Sequence, residues 1–192
     1  SLLEQNGYQA YMVGGCVRDY ILGRVPKDYD ITTDATPEQV TNVMKAENLM
    51  VIPTGIDFGT VTVYLNGFPF EVTTFRADGK YDDYRRPENV TFSNTIEEDL
   101  SRRDFTINAI VMDRNGTIYD PFDGREDIIH KRIRTVGKAQ ERFKEDPLRI
   151  LRGIRFAVKY GFEISYTTRM AMIGCAPLLM QVSAERIFSE LK

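Results

Sequence analysis

Asp28-Tyr29-Asp30 sets two carboxylates at i and i+2 in a segment, Lys27 to Thr32, that reads as a β-strand. Both then project to one face, with Tyr29 and Ile31 on the other. Two like charges held that close call for a cation, and oxygen ligands without histidine or cysteine favour Mg2+ or Mn2+. Glu71, on the alternating stretch Phe68 to Phe75, faces away from Phe68, Phe70 and Val72 and is a candidate third acid. The plainer reading of an Asp-x-Asp pair is a solvated strand edge.

Gly14-Gly15 gives weight to the chemical reading. It follows a short strand, Gly7 to Val13, and opens a helix from Cys16 to Leu22 that Gly23 stops. Backbone N–H groups at such a turn suit phosphate, so metal and phosphate sites would adjoin. Arg18, one turn into the helix, reaches the same phosphates or simply pairs with Asp19 or another acid.

The remaining elements must carry these groups. Thr36-Pro37-Glu38-Gln39 opens a helix with Val40, Val43 and Met44 buried. Asn66-Gly67 joins the strand Phe58 to Leu65 to that of Glu71, and Asn115-Gly116 marks a second hairpin. Arg76 to Asn89 reads as a long exposed loop. Thr95-Ile96-Glu97-Glu98 is a capping box starting a helix that carries Arg102, Arg103 and Asp104. After Val136 the pattern is helical only: Asp146-Pro147 caps a helix running to Tyr160 and ended by Gly161, and Tyr166 to Cys175 and Ser183 to Lys192 follow. The expected fold class is α+β with an all-helical tail piece.

Composition excludes several classes. Lys and Arg total 25 against 28 Asp and Glu, a formal charge of -3, so no overall basic field advertises nucleic acid and any polyanion site is local. Cys16 and Cys175 are too few for a disulfide scaffold or a four-cysteine zinc site, and they fit a reducing cytoplasm. The only histidine, His130, sits in a charged stretch without a nucleophile motif, which sets aside serine-histidine and cysteine-histidine chemistry. No signal peptide opens the chain and no apolar run approaches the roughly 18 to 20 residues of a membrane span. Ser1 and Lys192 both fall inside amphipathic segments, so a fragment is expected.

Five ordered motifs now carry a resemblance: Gly14-Gly15-Cys16-Val17-Arg18-Asp19, Pro26-Lys27-Asp28-Tyr29-Asp30, Glu71-Val72-Thr73-Thr74-Phe75-Arg76, Arg102-Arg103-Asp104-Phe105-Thr106-Ile107-Asn108-Ala109 and Glu145-Asp146-Pro147-Leu148-Arg149. In order and approximate spacing the chain resembles the class II nucleotidyltransferases, the bacterial and eukaryotic CCA-adding enzymes together with the bacterial poly(A) polymerases.

That resemblance implies a polymerase-β-like nucleotidyltransferase head, residues 1–136, and a base-selecting helical neck, residues 137–192, without the family's body and tail. Asp28 and Asp30 match its metal-binding carboxylates and Glu71 its third acid, for two-metal phosphoryl transfer. Gly14, Gly15, Arg18, Arg103, Asp104 and Asn108 are then nucleotide-binding, with the acid similar to a ribose-hydroxyl acceptor and an arginine on triphosphate; the bland alternative is a helix ion pair with Glu97 or Glu98. Asp146 and Arg149 resemble the protein template for the incoming base: three apart on one helix face, they set an acceptor beside a donor, which complements cytosine and adenine but not uracil or guanine. The plainer reading of Asp146 is an N-cap alone, a job compatible with base reading.

Arg152 and Arg155 continue the strip without matched acids at i+4, and resemblance points them at the triphosphate and primer. Asp120 to Arg125 matches a connector motif in which Asp123 stands where a second glycine is common. Glu185-Arg186 and Glu190 match a last helix motif that looks structural, holding neck to head. The implied activity adds C, C and A to the 3′ end of tRNA from CTP and ATP, with Tyr81 to Pro87 resembling the loop associated with the switch from C to A. Poly(A) addition, or a nucleotide- or RNA-binding module without turnover, are the alternatives.

Overall fold

The protein, seen in a computed structural model, is described over residues 1–78 and 90–191. A capped turn of helix, α1 (Leu2–Gln5), precedes β1 (Ala10–Val13), α2 (Gly15–Ile21), β2 (Asp30–Thr33) and α3 (Pro37–Ala46). Thr36 and Gln39 form the complete capping box of α3, with Pro37 at its first position. β3 (Met50–Gly55), β4 (Thr60–Leu65) and β5 (Phe68–Thr74) form an antiparallel meander. Its Asn66-Gly67 turn has φ of 52° and 81°, the pair of positive values that lets the strands keep their twist.

β6 (Arg76–Asp78) and β7 (Val90–Phe92) pair antiparallel, so the ends of the expected loop are a small ladder, too short for alternation to announce. Tyr81 to Pro87 lie outside the described residues. α4 (Ile96–Ser101) starts without the expected capping box. Instead the Ser93 hydroxyl accepts from the Thr95 N–H at 3.0 Å and donates to the Glu98 carboxylate. The helix stops at Ser101, so Arg102 to Asp104 follow it rather than ride on it.

β8 (Val111–Met112) and β9 (Ile118–Tyr119) make the second hairpin, followed by α5 (Gly124–Ile129) and β10 (Arg132–Ile133). Asp123 sits at φ 59°, a left-handed position that explains why glycine is at home there. α6 (Ala139–Glu145), α7 (Leu148–Tyr160), β11 (Glu163–Ile164), α8 (Tyr166–Cys175) and α9 (Ala184–Leu191) complete the chain. The tail is helical as expected apart from β11, whose two residues pair parallel with β10.

Seven strands form one mixed sheet in the order β3-β4-β5-β2-β1-β8-β9, in which β2 and β5 run parallel and put Asp30 opposite Glu71. The largest core cluster joins Cys16, Val17 and Phe105 to Ile150, Phe156 and Met172, so the late helices share a core with the sheet domain. Gly153 is the tight point of that seam: a Cβ there would lie 2.4 Å from Met172 Cε and 2.8 Å from Phe105 Cζ. Among the described residues, no helix is long and apolar enough to cross a membrane.

Candidate active site

Strand register does most of the positioning. The Glu71 N–H donates to the Tyr29 carbonyl at 3.2 Å, which starts the β2–β5 pairing and brings Asp28, Asp30 and Glu71 to one cavity of about 410 Å3 with Thr62, Tyr64 and Pro69. β2 begins only at Asp30, whereas Lys27 and Asp28 form a bend. Asp28 therefore reaches the cavity from a loop and not from the pleat of a strand.

The acids repel one another. Burial and the Glu71 charge push the Asp30 carboxyl above its ordinary value, Asp28 adds to this, and Arg103 opposes it. Among the described residues no three His, Cys, Asp or Glu side chains form a ready metal cage. The chemistry of the donor set, hard oxygens under mutual repulsion, fits a divalent ion that takes its remaining ligands from water or phosphate.

Gly14 lies against Arg103, the arginine whose charge acts on Asp30. Its φ is 75° and the Arg103 Nη1 atom is 3.2 Å from where a Cβ would stand, so backbone and space both favour glycine. Its N–H is spent on the Ile110 carbonyl at 3.2 Å, so the helix N-terminal N–H groups at this turn begin with Gly15. Arg103 is aimed by Asp99, which accepts from Arg103 Nη2 at 3.1 Å and Arg102 Nη2 at 2.7 Å, while Thr32 donates to the same carboxylate at 3.2 Å. Asp99 is wholly buried: burial pushes its carboxyl up, but Arg103 and Arg102 together bring it below the usual range. Sequence reasoning considered Glu97 and Glu98 as the arginines' partners and missed Asp99. The signal was its three- and four-residue spacing to Arg102 and Arg103.

Arg18, Asn108 and Asp104 come together, but through each other. Arg18 is buried, donates to Asp19 at 3.0 Å and to the Asn108 amide oxygen, and lies over the rings of Tyr160 and Phe156. Asn108 Nδ2 donates to Asp104 Oδ1 at 3.1 Å, the Phe105 N–H to the same oxygen at 2.7 Å, and Arg152 Nε to Oδ2 at 2.8 Å. Burial pushes the Asp104 carboxyl up, but Arg152, Asn108 and Arg149 bring it well below an ordinary aspartate.

The arginine strip of α7 has acids after all. Arg152 reaches Asp104 and, at 3.3 Å, Glu190; Arg155 is ion-paired with Glu190 at 2.9 Å without hydrogen-bond alignment. Counting i+4 neighbours could not see partners on a preceding loop and on α9. Arg186 thus ties α9 to Asp146, between α6 and α7, and Glu190 ties it to α7, whose Arg152 also holds Asp104.

Asp146 and Arg149 stand together at the start of α7 yet do not pair. Asp146 Oδ1 accepts from the Leu148 N–H at 3.1 Å, which makes it a cap, and Oδ2 accepts from Arg186 Nη2 at 2.8 Å. Arg149 donates to Glu145 at 2.8 Å and to the Arg102 carbonyl at 3.1 Å, which ties the neck's first turn to the Arg-Arg-Asp segment.

Comparison with known proteins agrees with this layout. Residues 10–134 match the poly A polymerase head domain family, and residues 161–192 match the family described as "Probable RNA and SrmB-binding site of polymerase A". The chain is 52% identical over 190 residues to a CCA-adding enzyme of Geobacillus stearothermophilus and 49% identical over 188 to one of Streptococcus pyogenes, covering 99% and 98% of this chain and 46% of each relative. It thus spans about half the length of these relatives. Among solved structures, a Bacillus stearothermophilus CCA-adding enzyme in complex with CTP superposes with a TM-score of 0.90 at 47% identity, covering 99% of this chain and 45% of that one. A tRNA nucleotidyltransferase with a primer tRNA and an incoming ATP analog superposes at 0.79 with 30% identity, covering 99% and 54%.

Proposed function

The chain belongs to the poly A polymerase head domain family, and we propose that it is the nucleotide-transferring part of an enzyme that adds C, C and A to tRNA 3′ ends from CTP and ATP. The observation that carries this reading is the convergence of Asp28, Asp30 and Glu71 on one cavity, with the charge of Arg103, which packs against Gly14, acting on Asp30. Residues 1–136 act as the head and 137–192 as the base-selecting neck. The two free, buried cysteines suit a cytoplasmic location.

Asp28 and Asp30 are the residues that would hold Mg2+, or Mn2+. Such an ion supplies positive charge that polarises the RNA 3′-hydroxyl and steadies the departing pyrophosphate. Glu71 adds negative charge opposite Asp30 and so strengthens the demand for a cation. Arg103, held by Asp99, presents its guanidinium toward the triphosphate next to the first turn of α2. Arg18, Asn108 and Arg152 fix the orientation of Asp104, the candidate ribose acceptor, and a ribose hydroxyl has to share that carboxylate with them. Asp146 and Arg149 select the base, offering an acceptor and a donor that match the amino group and ring nitrogen of cytosine or adenine. Uracil and guanine would leave buried polar groups unpaired, at about 1 to 3 kcal/mol each.

The test is incorporation of labelled CTP, then ATP, onto a tRNA lacking its 3′ end. Incorporation of both, in that order, is expected. ATP-only tailing of generic RNA would instead favour a poly(A) polymerase. Addition left unchanged by Asp28→Ala with Asp30→Ala would refute the metal-centred mechanism.

A further inference from the structure

We propose that Arg186, on α9, is a positioning residue for base choice: it holds the Asp146 carboxylate in the orientation that reads the incoming base. This rests on the reading of Asp146 and Arg149 as the base-selecting pair. A carboxylate offers about four lone-pair directions. In Asp146 the Leu148 N–H takes one on Oδ1 and Arg186 Nη2, at 2.8 Å, takes one on Oδ2. Each oxygen keeps a direction for an amino group, and the carboxylate plane is fixed from two sides.

The alternative available to Asp146 is Arg149, an opposite charge three residues along, in the first turn of α7. Were those two to pair, Asp146 would spend on Arg149 a lone-pair direction that the base's amino group requires. The structure divides the partners: Glu145 takes Arg149 and Arg186 takes Asp146. Arg186 stands on α9. It lies four residues before Glu190, hence on the same face of α9, and Glu190 is fastened to Arg152 and Arg155 of α7. The Arg186 and Asp146 side chains are 20% and 15% exposed, so solvent screens this pair less than a surface one.

The experiment is equilibrium binding of CTP, ATP, UTP and GTP to this chain with Mg2+, for the unaltered protein, Arg186→Ala, Arg186→Gln, Arg186→Lys, Asp146→Ala and the Asp146→Ala/Arg186→Ala double variant. In Arg186→Ala the CTP:UTP affinity ratio is expected to fall about tenfold. Arg186→Lys should restore part of it, and the double variant should be no less selective than Asp146→Ala alone. If Arg186→Ala loses its cooperative melt, Arg186→Gln, which removes the charge but keeps part of the stem and a polar end, carries the same expectation. A parallel loss of affinity for all four nucleotides with the ratio intact would mean a structural role only and overturn the proposal. A ratio intact in Asp146→Ala, or absent in the unaltered chain, would overturn the base-selecting reading itself.

Discussion

Arg152 Nε and Nη2 each lie 2.8 Å from Asp104 Oδ2, fastening a neck helix to a head segment that precedes it by 48 residues. Asp104 is nearly buried, so removing the arginine strands a carboxylate with only Asn108 and the Phe105 N–H for support. Arg152→Ala is expected to cost about 2 kcal/mol of stability, the scale of a hydrogen bond to a charged group. Chemical denaturation at neutral pH measures it, and a change below about 0.5 kcal/mol would show the latch to be ornamental.

Acid should loosen the same region. Asp99 and Asp104 are both held below the ordinary aspartate value of about 3.9. A depressed folded-state value means that the stabilisation is complete above the unfolded value and is lost as pH falls through the folded one. Denaturation midpoints followed from pH 7 down to 2 should therefore drop steeply below about pH 4. Asp99→Asn should be about 2 kcal/mol less stable at neutral pH and converge on the unaltered protein in acid.

Asp30 has the opposite sign. Burial, Glu71 and Asp28 raise its carboxyl, so the ionised form is disfavoured in the folded protein and weakens it at neutral pH. Asp30→Asn should lower nucleotide addition about a hundredfold or more, yet raise stability by about 1 kcal/mol. A paired activity assay and thermal melt check this; a variant both inactive and destabilised would contradict the charge argument.

Gly153→Ala tests the seam between neck and head. Alanine gains about 1 kcal/mol of helix propensity over glycine, while overpacking costs about 1 to 3 kcal/mol. Because the new Cβ meets the Phe105 ring as well as the flexible end of Met172, the second effect should win and Tm should fall. Adding Met172→Ala should not restore it, since the Phe105 contact remains.

Arg149→Ala should relax base choice, raising use of UTP against CTP about tenfold, with metal binding retained. Steady-state incorporation with each nucleotide reads the ratio. Discrimination left intact would remove Arg149 from the base site.

Local sequence determined what local forces control. The Thr36 cap, the Asn66-Gly67 turn and the Gly161 stop depend on a few consecutive dihedrals, and each forms at the residues that encode it. The acid motif was legible in part: Glu71 comes to Asp30 by strand facing, as the alternation implied, but Asp28 reaches the same cavity from a bend before β2, which the pleat argument did not foresee. Partner choice among charges was not. Thr95 stands at the N-cap of α4 without a side-chain cap bond because Ser93 takes its N–H and the Glu98 carboxylate, Asp99 rather than Glu97 or Glu98 took the two arginines, and Glu190 and Asp104 neutralised a strip that spacing alone left unmatched. Such pairs are decided by which elements the shared core of Phe105, Ile150 and Phe156 presses together. Burial then makes any uncompensated charge costly, so each arginine settles on the acid that tertiary packing brings within reach.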